Sequence, residues 1–267
     1  MLKEFKDWLL INGLTPNTVK NYVSRIRKFL TSVKVENMTE GDIIAFLVSI
    51  KDECSPSTVN CYREAISNYL KFLKRDDIPL PKPLKIEEKI PDYMTEKFFE
   101  KEFINIVECI FSNPLKWKAI FYFMFYTGMR VGEIASLRRE NIDLNNRVVK
   151  INNQKSKKEQ LRPFNEKTKI ILKKYFEIEN EVSSAFNASV ASIQRALKNI
   201  QPNFKDIKLH PHLFRHSFGA YFMRHGGTLA TLQKLMGHKN IKTTQIYAGL
   251  KPEHIKEEYD KIMNRRK

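Results

Sequence analysis

From residue 127 onwards, this 267-residue chain holds tyrosines, several arginines and histidines, and a lysine-rich run. Breaking a phosphodiester bond without a metal requires a nucleophile, cations that hold the non-bridging oxygens, and an acid for the departing 5′ oxygen. The chain offers a candidate for each of these parts. The residue types therefore indicate phosphoryl-transfer chemistry.

A guanidinium and a carboxylate stand close together in the segment TGMRVGEI, residues 127–134. Arg130 lies near a glycine turn, and Glu133 follows three residues later. One helical turn at this spacing lets a carboxylate orient a guanidinium. The same spacing usually gives an ordinary surface ion pair, so the pair by itself does not establish a site.

A second motif, HPHLFRH at residues 210–216, begins a predicted helix. His212 and His216 have the i, i+4 spacing of a zinc site, but the Glu of an HExxH motif is missing and no cysteine is near. We therefore expect no metal here. His238 follows in LMGH and Tyr247 in TTQIY, and either residue alone would usually be structural.

Residues 1–78 are predicted to form a compact helical domain, because apolar residues recur at helical spacing in four segments. The second and fourth segments begin with the similar strings TPNTV and SPSTV. We interpret them as a shared way of starting a helix rather than as a duplication. Thr39 and Asp42 have the spacing of a capping box before the third helix.

Residues 79–92 are predicted to be an extended linker, since the stretch IPLPKPLKIEEKIP contains four prolines. Residues 93–267 then form a second domain. Its sequence predicts helices at about 95–110 and 114–138, and a β-hairpin whose strands are Arg147 to Ile151 and Gln160 to Phe164. An amphipathic helix from Pro252 to Met263 is predicted near the end.

The composition favours a polyanionic partner. The formal charge is +17 and the calculated pI about 9.7, and residues 1–78 hold only 12 of the 47 basic and 10 of the 30 acidic side chains. The three cysteines form no CxxC pair, which is typical of a reducing compartment. Neither a signal sequence nor an apolar run of membrane-spanning length is evident, so we expect a cytoplasmic protein without membrane contact.

Taken in order, these motifs resemble those of the tyrosine recombinase family. The strings TGxRxGEI, HxxRHSF, LMGH and TTQIY carry the resemblance, together with the helical first domain and the proline-bearing linker. Within the family, the short chain is most similar to the Xer-type recombinases. The resemblance implies a mainly α fold with a small β-hairpin, in which a helical core-binding domain and a catalytic domain form a C-shaped clamp around DNA.

The resemblance also implies roles for individual residues. Arg130 and Arg215 would clamp the scissile phosphate, His238 would hydrogen-bond a non-bridging oxygen, and His212 would assist proton transfer. Tyr247 would attack phosphorus to give a 3′-phosphotyrosine and a free 5′ hydroxyl, and no metal, ATP or other cofactor would be required. Lys155 would be the general acid.

The assignment of Lys155 rests on its position relative to the family's hairpin motif. The family often has Gly-Lys-Gly where this hairpin tip reads QKSKKEQ, so the glycines are missing here. Lys157 and Lys158 are interpreted as phosphate contacts or as solvated turn residues. Tyr259 is a poorer nucleophile candidate than Tyr247, because it lies among acidic residues in a terminal helical pattern.

The family also implies a partner and an assembly: double-stranded DNA with a specific site, bound by a tetramer of protomers that are monomers when free. Whether Tyr247 acts in its own protomer stays open. The biological task also stays open between chromosome dimer resolution, integration of a mobile element and transposon resolution. The rival interpretations are a type IB topoisomerase-like enzyme and a DNA-binding protein without catalysis.

Overall fold

The chain, studied as a computed structural model, forms two compact units, Met1–Glu88 and Lys89–Lys267. Each unit has its own hydrophobic core. The structure describes residues 1–86, 91–152, 159–179, 183–237 and 242–247. The limits proposed above for the first domain, linker and second domain stay predictions.

The first unit consists of four helices packed around one apolar core, as the sequence predicts. Thr15 and Ser55 cap the second and fourth helices by accepting a backbone N–H three residues on, and proline is the first helical residue in both. Thr39 and Asp42 form the predicted capping box. The helices are α1 (Leu2–Ile11), α2 (Pro16–Phe29), α3 (Glu40–Ser49) and α4 (Pro56–Phe72).

The first part of the proline-rich segment lies along α4. The Asn60 amide donates to the Leu84 carbonyl at 2.8 Å and accepts from the Leu84 N–H at 2.7 Å. Arg63 Nε donates to the carbonyl of Pro81 at 2.5 Å. Residues 79–86 contain no helix or strand. Side-chain hydrogen bonds therefore hold this stretch, whose prolines lack the N–H groups that regular structure needs.

The second unit is built around a buried helix, α7 (Pro114–Thr127), whose residues from Ala119 to Thr127 are all buried. The sequence predicts one helix over 114–138, and this is wrong. Gly128 has a φ of +59°, a left-handed conformation that ends α7, and a separate short helix α8 (Val131–Ala135) follows Arg130.

The remaining helices pack around α7 or continue towards the end of the described chain. A segment with α-helical ends and a π-helical middle covers the predicted helix at 95–110. Its parts are α5 (Glu96–Phe98), the π-helix Phe99–Phe103 and α6 (Ile104–Ile110). The later helices are α9 (Glu166–Ile178), α10 (Val190–Ile200), α11 (Pro211–Arg224), α12 (Leu229–Met236) and α13 (Lys242–Gln245).

A small antiparallel sheet of order β1-β2-β3 confirms the predicted hairpin and adds one short strand before it. The register pairs Ile151 with Gln160 and Val149 with Arg162. The hairpin tip, residues 153–158, and the predicted terminal helix lie outside the described residues. The strands are β1 (Ile142–Asp143), β2 (Val148–Asn152) and β3 (Glu159–Pro163).

Among the residues that the structure describes, no helix is both long and apolar enough to cross a membrane.

Candidate active site

The turn between α7 and α8 holds Arg130 by two contacts from one carboxylate. Glu133 Oε2 accepts the backbone N–H of Arg130 at 2.8 Å, and Glu133 Oε1 accepts from Arg130 Nη1 at 2.9 Å. Glu133 is mostly buried, with 18% of its side chain exposed. The nearby Arg162 and Arg130 lower the pKa of Glu133 although burial opposes them. The carboxylate is therefore ionised at neutral pH and orients the guanidinium, as the spacing predicts.

Arg215 is fixed by two backbone carbonyls from separate parts of the unit. Its Nη1 donates to the carbonyl of Gly128 at 2.7 Å, and its Nη2 donates to the carbonyl of Met236 at the end of α12. Only 4% of the residue is exposed. Burial, followed by the charge of Arg130, lowers the pKa of Arg215 to about 9, so the guanidinium is still cationic at pH 7.

The two arginine motifs come together through Gly128. Besides accepting the hydrogen bond from Arg215, Gly128 packs so closely on Phe218 of α11 that a Cβ atom there would overlap the phenyl ring. A glycine is required at this position because of both the left-handed backbone and the close packing. The turn that carries Arg130 is thereby docked on the helix that carries Arg215.

Tyr247 is buried against α11. Its hydroxyl lies 2.8 Å from Nδ1 of His216, and its ring lies on Gly219, where a Cβ atom would stand 2.7 Å from Tyr247 Cζ. Only 1% of the residue is exposed, within a small apolar cluster that includes Phe218. Burial raises the pKa of Tyr247 to about 12, and the positive charge of Arg215 opposes the rise. The phenol is therefore neutral and shielded from solvent.

His216 is a site residue to which the sequence analysis assigned no role. Burial, followed by the charges of His212 and His210, lowers the pKa of His216 to about 4, so its ring is neutral at pH 7. The available signal was its helical spacing, because His216 stands one turn after His212 and three residues before Gly219.

His212, expected to assist proton transfer, lies exposed at the start of α11, with its ring centre 6.4 Å from that of His216. Although the residue counts as exposed, part of its imidazole is shielded from water, and this partial burial together with the charge of Arg215 lowers the pKa of His212. In the described part of the chain, Tyr247 hydrogen-bonds His216 and has no hydrogen bond with His212. His210 has a structural contact, since its Nδ1 accepts the backbone N–H of Leu213 at 3.2 Å and caps α11.

Arg162 on β3 is a second residue that the sequence analysis did not single out. Its Nη1 lies 3.5 Å from Glu133 Oε2, and only 1% of the side chain is exposed. Nothing in the motif strings marked it, because one polar residue in a strand is ordinarily assumed to face solvent. The strand register decides otherwise and turns Arg162 inward, opposite the buried Val149.

Four of the predicted site residues, Lys155, Lys157, Lys158 and His238, lie outside the described residues. The described ones do converge. The charge of Arg130 lowers the pKa of both His212 and Arg215, and the charge of Arg215 acts on Tyr247. Cations, a neutral imidazole and a phenol therefore share one region of the second unit.

Comparisons with known proteins agree with this architecture. Residues 96–254 match the model of the phage integrase family, and residues 1–80 match the N-terminal SAM-like domain of phage integrases. A curated relative, tyrosine recombinase XerA of Saccharolobus solfataricus, is 29% identical over 276 residues, which cover 97% of this chain and 91% of the relative.

Two solved structures share the fold. The Tn1549 transposon integrase in complex with transposon right end DNA has a TM-score of 0.75 at 16% identity, covering 98% of this chain and 99% of that chain. The lambda integrase tetramer bound to a Holliday junction has a TM-score of 0.71 at 17% identity, covering 90% and 76% respectively.

The chain therefore belongs to the phage integrase family of tyrosine recombinases, enzymes that cleave and rejoin DNA. Among these enzymes it is Xer-like, as its XerA relative indicates.

Proposed function

We propose that this protein is a site-specific recombinase that cleaves DNA through a covalent bond between Tyr247 and the 3′ phosphate. The phenolic oxygen forms the new bond to phosphorus as the bond to the 5′ oxygen breaks, which conserves one phosphodiester for rejoining. The observation that carries the proposal is the position of Tyr247 against α11, within the field of Arg215 and beside neutral His216.

Arg130 and Arg215 are proposed to bind the non-bridging oxygens of the scissile phosphate. Both side chains are held before DNA arrives, Arg130 by Glu133 and Arg215 by two carbonyls. Fixed cations stabilise developing negative charge without reorganising during the reaction. Two guanidinium groups held this way favour the transition state over the ground state.

Proton transfer is proposed to use His212, which is exposed and whose lowered pKa keeps its imidazole neutral at pH 7, the form that can accept the proton of Tyr247. By family resemblance, Lys155 protonates the 5′ oxygen, His238 hydrogen-bonds a non-bridging oxygen, and Lys157 and Lys158 contact phosphates. Because Tyr247 is 1% exposed here, its hydroxyl must leave His216 before it can reach a phosphate.

The proposed substrate is double-stranded DNA with a specific site, bound by four protomers that are monomers when free. The lambda integrase tetramer on a Holliday junction supports this assembly. We further propose that both the helical and the catalytic domain contact DNA phosphates, so that affinity falls steeply with salt. An enzyme with this substrate works where the DNA is, which for this protein we take to be the cytoplasm.

Two biological tasks are consistent with the relatives. Similarity to a XerA protein over nearly the whole chain supports chromosome dimer resolution, which we propose first. The shared fold with the Tn1549 transposon integrase supports integration of a mobile element as the second candidate. Recovery of the target site distinguishes them, because a chromosomal site favours the first and an element's end favours the second.

The test uses a nicked suicide duplex carrying a site selected by the protein from a random-sequence library, with EDTA present. We expect a covalent complex on a denaturing gel, with the linked peptide containing Tyr247. Tyr247→Phe should bind the site and form no adduct, whereas the control Tyr259→Phe should form it normally. Adduct from Tyr247→Phe would refute the assignment.

The suicide substrate and a supercoiled plasmid distinguish the proposed recombinase from the two rival interpretations. A bound site without any adduct from the unaltered protein would favour a DNA-binding protein without catalysis. Relaxation of a supercoiled plasmid that lacks the selected site would favour a topoisomerase-like enzyme.

A further inference from the structure

Arg162 carries a buried positive charge at a strand position that an apolar residue would ordinarily occupy. It is 1% exposed and faces inward beside Glu133. Within the described chain, none of its three guanidinium nitrogens makes a hydrogen bond. A buried charge is costly unless a partner compensates it, and a well-packed apolar residue often stabilises a protein equally well or better.

The contact available to Arg162 is Glu133, the residue that holds Arg130. Arg162 Nη1 lies 3.5 Å from Glu133 Oε2, the same oxygen that accepts the backbone N–H of Arg130 at 2.8 Å. The other oxygen, Oε1, accepts from the Arg130 guanidinium at 2.9 Å. The carboxylate therefore lies between two arginines, one buried on β3 and one partly exposed at the start of α8.

The balance of charge supports a role beyond packing. Arg130, Arg162 and Arg215 act electrostatically on one another, and Glu133 opposes them with a single negative charge. Three guanidinium groups and one carboxylate leave two positive charges. A phosphodiester that accepts a phenolate oxygen carries two negative charges in its five-coordinate state, so this region complements the transition state.

We propose that Arg162 is a positioning residue that keeps Glu133 ionised and in place, so that Glu133 holds Arg130 against the scissile phosphate. The proposal rests on the function proposed above for Arg130. Arg162 does not touch DNA in this scheme, because it is buried behind the carboxylate. Its loss should weaken the chemical step and leave DNA affinity nearly unchanged.

The experiment measures single-turnover cleavage of the suicide substrate at saturating protein, and DNA affinity separately. Arg162→Met should lower the cleavage rate about 10- to 100-fold with affinity within about threefold, since misplacing a catalytic group slows chemistry by such factors. Arg162→Lys, which keeps the charge, should recover part of the rate. Arg147→Met is the matched control, because Arg147 is an exposed arginine paired with Glu166 near the same sheet.

Two further readouts separate positioning from a purely structural role. In a Glu133→Gln background, Arg162→Met should lower the cleavage rate little further, because the side chain through which Arg162 acts is already neutral. The acid limb of the pH–rate profile should move to higher pH in Arg162→Met, since Arg162 and Arg130 together lower the pKa of Glu133 and Arg130 alone would then do so. Additive losses with an unmoved acid limb would overturn the proposal.

Arg130→Ala is measured in parallel to keep the two proposals distinguishable. If Arg130→Ala cleaves normally, the proposed role of Arg130 fails. If Arg130→Ala loses cleavage and the folded Arg162→Met variant does not, the inference about Arg162 alone fails. Circular dichroism and thermal unfolding of each variant establish that it is folded.

Discussion

The hydroxyl of Tyr247 lies 2.8 Å from Nδ1 of His216, in a setting where only 1% of the tyrosine is exposed. Because the pKa of His216 is lowered to about 4 and that of Tyr247 raised to about 12, both groups are neutral at pH 7. The contact is thus a neutral hydrogen bond between a buried hydroxyl and a partly buried imidazole. It holds the proposed nucleophile in place without activating it.

Loss of the imidazole should leave the tyrosine hydroxyl buried without this partner. We expect His216→Leu to lower the free energy of unfolding by about 1–3 kcal/mol. The double variant His216→Leu, Tyr247→Phe should be more stable than His216→Leu alone, because it removes the unsatisfied hydroxyl. Urea unfolding of the four proteins measures the coupling. Simple additivity of the two single changes would show that the hydrogen bond contributes nothing to stability.

Gly219 provides the surface on which the tyrosine ring lies. A Cβ atom there would stand 2.7 Å from Tyr247 Cζ, so Gly219→Ala should displace the ring and cost about 1–3 kcal/mol despite the better helix propensity of alanine. Nitration of Tyr247, followed by mass spectrometry, should become faster, with Tyr69 in the first unit as the unaffected reference.

The control for this change is Gly41→Ala in α3. The corresponding Cβ would have one ordinary contact, 3.6 Å from Thr39 Oγ1. This variant should be at least as stable as the unaltered protein, because alanine has the better helix propensity, and should keep its Tyr247 nitration rate. An equal effect from both substitutions would mean that contact with Tyr247 is not the cause.

The lowered pKa of His216 predicts a pH dependence of stability. In the unfolded chain the imidazole binds a proton near pH 6.5, whereas in the folded protein it does so only near pH 4. Its contribution is therefore fully present above pH 6.5 and is lost as the pH falls through this range to 4. His216→Gln should lose less stability over that interval. If the free energy of unfolding of the two proteins fell equally between pH 6.5 and pH 4, the lowered pKa of His216 would not be the cause.

The buried carboxylate should matter more to stability than an exposed one. Glu133→Gln removes the charge that lies between Arg130 and Arg162, and we expect a loss of about 3–5 kcal/mol because buried Arg162 loses its compensating charge. Glu140, which pairs with Arg138 at the surface, is the control. Glu140→Gln should change stability by less than about 1 kcal/mol. Comparable losses of stability in the two variants would show that the buried carboxylate contributes no more than the exposed one.

Much of the fold is encoded locally and could be predicted. The side chains of Thr15, Thr39 and Ser55 each accept a backbone N–H only three residues further on, so short strings are enough to locate the starts of α2, α3 and α4. The helical pattern over 114–138 was predicted wrongly as one element. Residues on both sides of Gly128 favour helix, and the left-handed turn is stabilised by packing on Phe218 from a distant helix.

The candidate site shows the same division. The order and spacing of the motifs around Arg130, His212, Arg215 and Tyr247 were enough to indicate the family and the chemistry. This is because the residues in these motifs are the types that the cleavage reaction requires. Local spacing also placed Glu133 beside Arg130. Which histidine contacts Tyr247, and the burial of Arg162 behind Glu133, depend on residues that are far apart in the chain. Only the packing of α11, β3 and the Tyr247 segment into one unit brings those groups within hydrogen-bond or ion-pair distance.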